Sequence, residues 1–145
     1  MKKFMAIYMA PAAEFENMMR SSTPEQQRKG MEAWMKWMNE NKASIVEGGA
    51  PLGKTKRADA TGVSDVKNNV GGYSIVQAET HEAAAKLFGK DHPHLHMPGA
   101  WVEILVAAGK AANLEGGRPL PSIARFRTAS ISDARGGNEP RCART

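Results

Sequence analysis

The order of hydrophobic and polar positions divides this chain into a run of regular elements and a closing stretch without period. From Lys3 to Ala10 nearly every position is apolar (Phe4, Met5, Ala6, Ile7, Tyr8, Met9). A half-solvated strand alternates, whereas one apolar at every position is buried on both faces. The stretch therefore predicts a strand covered on two sides, closed by Pro11. Ala12–Ser22 reads as a connector with a short helix over Glu14–Arg20. Thr23-Pro24-Glu25-Gln26 is a helix start, with Thr23 as N-cap, Pro24 at the first helical position and Gln26 completing a capping box. That helix runs to about Ala43. Met31, Trp34, Met35, Met38 and Lys42 follow the three-and-four spacing of one apolar stripe, and Trp37 falls to its side. The stripe reads as core.

Ser44–Gly53 predicts a short strand ending in a glycine-rich corner, and the polar segment Lys54–Asn69 a loose hairpin. Gly71-Gly72 opens a second clear strand, Tyr73–Ala78. Thr80 caps a helix that extends through Phe88 and stops at Gly89, with His81 at its exposed start. In the last strand, Trp101–Val106, one face carries Val102, Ile104 and Val106, and the other carries Trp101, Glu103 and Leu105. The order strand, helix, strand, strand, helix, strand implies an α+β fold of split β-α-β units: a ferredoxin-like antiparallel sheet with its helices on one face. The other face then needs a cover, and a second copy of the same sheet is the simplest one. A homodimer forming a dimeric α/β barrel is the expectation.

After Ala107 the period dissolves into glycine, proline, serine and arginine. With 145 residues in all, the expectation is one folded domain over residues 1–109 and a basic, disordered tail over 110–145. The net charge of +5 resides mostly in that tail, which holds seven basic and three acidic residues. The first 109 residues are nearly neutral and show no cluster of basic and aromatic residues, which argues against a nucleic-acid partner. No apolar run nears the roughly 20 residues of a membrane span, and the apolar start gives way to Glu14 and Glu16 without a cleavage site. The single Cys142 cannot form an internal disulfide, which fits a cytoplasmic protein.

Chemistry concentrates between Gly89 and Trp101. Three of the four histidines, His92, His94 and His96, lie there beside Asp91. Pro93 and Pro98 disfavour a helix and a central strand, so the segment predicts a shaped loop at the rim of the sheet. A histidine with a carboxylate neighbour shuttles protons near neutral pH. That makes His94 or His92 the candidate general base and Asp91 its orienting partner, with Tyr73, Glu103 and Trp101 as substrate-binding groups in the pocket. The competing readings are solvated loop histidines and a metal site, since His92, His94 and His96 would share one face of an extended chain. A further alternative is a non-catalytic dimeric binding module. No phosphate loop, nucleophile elbow or paired-cysteine motif occurs, so no organic cofactor is implied.

The opening Lys3–Tyr8, the Trp34–Trp37 helix, Val46-Glu47-Gly48-Gly49-Ala50-Pro51-Leu52, Gly71–Ala78, Glu82–Ala85, His92-Pro93-His94-Leu95 and Trp101–Ile104 together resemble the YCII-related family. The resemblance spans residues 3–106 in collinear order. It implies the ferredoxin-like, dimeric α/β-barrel fold and a pocket containing histidine and an acid. Asp91 and the loop histidines are the natural match for that pair. The wider superfamily's small-molecule enzymes suggest an isomerase, lyase or hydrolase type of reaction.

Overall fold

Phe4, Ala6 and Tyr8 are buried on one side of the first strand, while Met5, Ile7 and Met9 on the other side keep contact with solvent. This alternation, rather than burial on both faces, is what the computed structural model shows. It describes residues 1–107; the expected tail and Cys142 lie outside the described residues. Strands β1 (Lys2–Met9), β2 (Ile45–Pro51), β5 (Val70–Ala78) and β6 (Trp101–Val106) form a four-stranded sheet in the order β2-β5-β1-β6. Every pairing is antiparallel. Each β-α-β unit is thus split by a strand of the other unit, and the fold is α+β. Between β2 and β5, β3 (Thr55–Asp59) and β4 (Gly62–Val66) form a separate two-stranded hairpin, as the polar alternation predicts. No helix among the described residues is long and apolar enough to cross a membrane.

Helices α1 (Ala12–Ser21), α2 (Pro24–Glu40) and α3 (His81–Lys86) lie in the connections. Both arms of the capping box at Thr23 and Gln26 are formed, so two backbone donors at the start of α2 are satisfied. Thr80 caps α3 by accepting from the Ala83 N–H at 3.0 Å. The core joins α2 and α3 to one sheet face: Trp37, Ala84 and Phe88 meet Phe4, Ala6, Tyr8, Val76 and Ala78. Trp34, Met38 and Leu87 pack against its margin.

The buried side of α2 differs from the expected stripe. Trp37 is only 8% exposed, while Met31 and Met35 are 66% and 52% exposed. The two indoles set the helix rotation, because they bury far more area than methionine and Trp37 also finds an acceptor for its N–H. Its Nε1 donates to the Leu87 carbonyl at 3.1 Å, tying α2 to the end of α3.

Candidate functional site

The segment carrying the histidines is neither an open loop nor extended. Pro93–His96 is a 3₁₀ turn with Pro93 in its first turn and His92 as N-cap. The His94 N–H donates to His92 Nδ1 at 3.1 Å, the same capping contact that serine or aspartate makes elsewhere. Successive residues of such a turn rotate by about 120°, so alternate histidines do not share a face. His92 and His94 are buried and His96 is exposed. Among the described residues no three histidine, cysteine or acidic side chains come close enough to hold a metal. The expected extended three-histidine face is therefore absent, for the reason that the turn rotates its members apart.

His92, 2% exposed, sits in an aromatic box. Its ring stacks on Tyr8 at 5.5 Å and meets Trp34 and Trp37 edge-on at 5.0 and 4.4 Å, with Phe88 at 5.2 Å. Because Nδ1 accepts a backbone N–H, the proton of the neutral ring is on Nε2. That Nε2 is the one buried side-chain nitrogen or oxygen without a hydrogen-bond partner among the described residues. Burial, reinforced by the neighbouring His94 and His96, pushes the His92 pKa down to about 4. A ring with one nitrogen capped and the other protonated and sealed holds the turn together and has no lone pair to offer a substrate.

His94 has the opposite arrangement. Its Nε2 lies 2.8 Å from the Met9 carbonyl, an acceptor only, so Nε2 carries the proton and Nδ1 is bare. Nδ1 makes no hydrogen bond among the described residues and is not sealed from solvent as His92 Nε2 is. Tyr8 and Phe15 flank the ring at 5.3 and 6.4 Å. A proton accepted at Nδ1 would leave an imidazolium whose other N–H already points at a carbonyl, a favourable partner for positive charge.

The remaining predicted residues are distributed elsewhere. Asp91 is exposed and forms no hydrogen bond to either buried imidazole. The expected Asp91–histidine pair is replaced by backbone partners, the His94 N–H and the Met9 carbonyl. Asp91, His92 and His96 do line one shallow groove of about 400 Å³ between α2 and the turn, together with Lys36, Trp37 and Lys86. Tyr73, Trp101 and Glu103 occupy the sheet face away from the helices, by strand alternation with Ile7 and Met9. There the Tyr73 hydroxyl donates to Glu47 at 2.8 Å and Trp101 Nε1 donates to Glu103 at 3.0 Å. The hydrogen bond to Glu47 raises the Tyr73 pKa. Within one chain, the two groups of candidates therefore lie on opposite faces. His81 is exposed as expected, yet not idle. Its Nε2 donates to the Ile104 carbonyl at 2.7 Å and its ring stacks on Phe4 at 5.4 Å.

The sequence reading left out three residues of this region: Tyr8, Ser74 and Phe15. Tyr8 and Ser74 exchange a 2.8 Å hydrogen bond in the core, and burial pushes the Tyr8 pKa up to about 12. A hydroxyl on each of two otherwise apolar strands was the available signal, since buried hydroxyls need partners. No protein-family model matches the chain, and no curated protein does.

The Tyr8–Ser74 pair makes a test of the core. Ser74→Ala or Tyr8→Phe alone should cost about 1–3 kcal/mol, because each leaves a buried hydroxyl unpaired, whereas the double variant should recover most of that loss. Urea unfolding measures all three. Additive losses in the double variant would mean that the two hydroxyls do not depend on one another.

Proposed function

We propose that the chain is a small-molecule enzyme of acid–base type whose base is His94. The carrying observation is the pairing of a fixed Nε2–H, held by the Met9 carbonyl, with a bare Nδ1 that is not sealed from solvent. A general base needs that state: a ring nitrogen with no protein partner, on an imidazole held in place through its other nitrogen. His92 supports the site from beneath, as the N-cap of the turn that positions His94. Proton abstraction in an isomerase, lyase or hydrolase type of reaction is the chemistry that one imidazole supports without a cofactor. The resemblance to the YCII-related family points the same way, and the split β-α-β order of the sheet is compatible with the fold that resemblance implies. In this reading the fold is ferredoxin-like and two copies join as a dimeric α/β barrel in the cytoplasm, their open sheet faces in contact.

A non-catalytic ligand-binding module is the second reading. The arrangement of His92 favours it, since one of the loop histidines is plainly structural.

His94→Gln is the deciding variant. With a substrate drawn from a screen of enolisable and hydrolysable small molecules, it should lower kcat by roughly two to four orders of magnitude, the usual contribution of a general base. His96→Gln, at an exposed ring on the same turn, should change turnover little. Full turnover in His94→Gln would remove the acid–base reading and leave the binding module.

A further inference from the structure

Helix α1 has no buried residue, yet separate contacts hold it in one place. The Ala12 N–H donates to Asn69 Oδ1 at 3.2 Å, and Lys67 Nζ meets Glu16 at 2.7 Å. At its entry, Gly99 lies against Pro11 with φ of 68°, so close that a β-carbon there would sit 3.3 Å from the proline ring. The last contact is Phe15. Its ring lies over the bare backbone of Gly71, where a β-carbon would come within 2.2 Å of the ring. Gly71 has no positive φ to explain it; the glycine makes room. It is also the residue left over where the β1–β5 register breaks, between the pairs Tyr8–Gly72 and Met9–Val70, and such bulges re-aim the chain beside functional sites. On its other side the Phe15 ring lies within 29° of parallel to His94, centroids 6.4 Å apart.

We propose that the space between Gly71 and His94 is a ring-binding slot, that Phe15 is its built-in plug, and that its ligand is a flat, uncharged ring compound bearing a hydroxyl. The ligand ring replaces the Phe15 ring as α1 swings away, and its hydroxyl proton faces His94 Nδ1. The hydroxyl contact rests on the reading of His94 as the base; the slot does not. The walls are the Gly71 backbone and the His94 ring, with Tyr8 beside that ring and no carboxylate or ammonium group among them, so an ionic ligand would be desolvated without compensation. Helix α1 contributes no buried side chain of its own, so displacing it uncovers chiefly the His94 ring beneath Phe15 and breaks a surface ion pair that contributes little. Opening of this kind is drawn from the least stable parts of a fold.

Phenol and toluene are the probes, added to the full chain and to Phe15→Ala. Removing the plug should tighten phenol binding at least ten-fold by calorimetry and tighten toluene as well. Phenol alone should move the His94 Nδ1 resonance in nitrogen-15 spectra. Refilling the slot in Phe15→Ala/Gly71→Ala should abolish the gain. Equal affinity of the parent chain and Phe15→Ala for both probes overturns the plug. Tightening of both without a phenol-specific shift upholds the slot and overturns the contact with His94. Gly71→Ala alone gives an independent measure should Phe15→Ala fail to fold. Its methyl group should push Phe15 off the slot and raise the rate of His94 modification by diethylpyrocarbonate several-fold, mapped by mass spectrometry, with the exposed His96 unchanged. An unaltered His94 rate would overturn the proposal.

Discussion

Acidifying the protein from pH 6.5 to 4 should cost it about 3 kcal/mol of stability through His92 alone. The folded-state pKa lies near 4 against an ordinary 6.5, because the aromatic box strips water from the ring and offers the imidazolium no carboxylate. A depressed histidine pKa means that the unfolded chain binds the proton more readily than the folded one. Stability is then complete above pH 6.5, falls as the pH drops through the window between the two values, and is fully lost below 4. Each unit of difference corresponds to about 1.4 kcal/mol. The carboxylates with depressed pKa values, Glu16 and Asp59, start from a lower ordinary value, so their losses fall at more acidic pH. His92→Asn isolates the effect. Its side-chain oxygen can still cap the His94 N–H, the cavity lowers stability at every pH, and the slope between pH 6.5 and 4 should vanish. Urea unfolding across that range provides the comparison, with the His92 titration followed by NMR. Parallel profiles for the parent and His92→Asn, or a His92 titration near 6.5, would refute the buried neutral ring.

Most of the fold was legible because local signals agreed with one another. The apolar run of β1, the capping box at Thr23 and the Thr80 cap each mark an element by a separate mechanism and are realised, whereas the paired glycines before Tyr73 lie inside β5, which already begins at Val70. What escaped depended on choices between competing side chains. Spacing alone treats Met31 and Trp37 as equal members of a helix, and only their packing shows that the indole wins. The turn at Pro93 was written in the sequence, since a proline in the first helical turn preceded by a capping side chain is a helix start. Histidine as the cap disguised it. The site was harder to read. Strand alternation shows that Tyr73, Trp101 and Glu103 occupy defined faces, but it does not say which face a preceding loop folds over. His92 and His94 lie on the helix side, where Tyr8, the two indoles and Phe88 surround His92 and Tyr8 and Phe15 flank His94, while the pocket groups lie on the other side.

Placing one charge at the centre of the open sheet face should turn a dimer into a monomer. That face carries Met5, Ile7, Met9, Ile75 and Leu105 from three neighbouring strands, with Met5 39% and Leu105 43% exposed. Large apolar side chains repeated across adjacent strands suit the dimer contact proposed above. Covering several hundred Å² per copy at about 25 cal/mol per Å² favours association by several kcal/mol before the entropy of joining is counted. In such an interface, Met5→Lys strands an ammonium group against its own two-fold image, at a cost on the order of 3 kcal/mol or more. The dissociation constant should rise by at least two orders of magnitude. In an isolated chain the same substitution falls on an exposed side chain and should change folding stability by no more than about 0.5 kcal/mol. Sedimentation at micromolar concentration separates these outcomes. The parent chain should run as a dimer and Met5→Lys as a folded monomer with its far-ultraviolet dichroism intact. A parent chain that sediments as a monomer, or a Met5→Lys chain that stays dimeric, would place the partner of this face elsewhere. Tyr73, Glu47, Trp101 and Glu103 would then be left as polar groups on a solvated sheet.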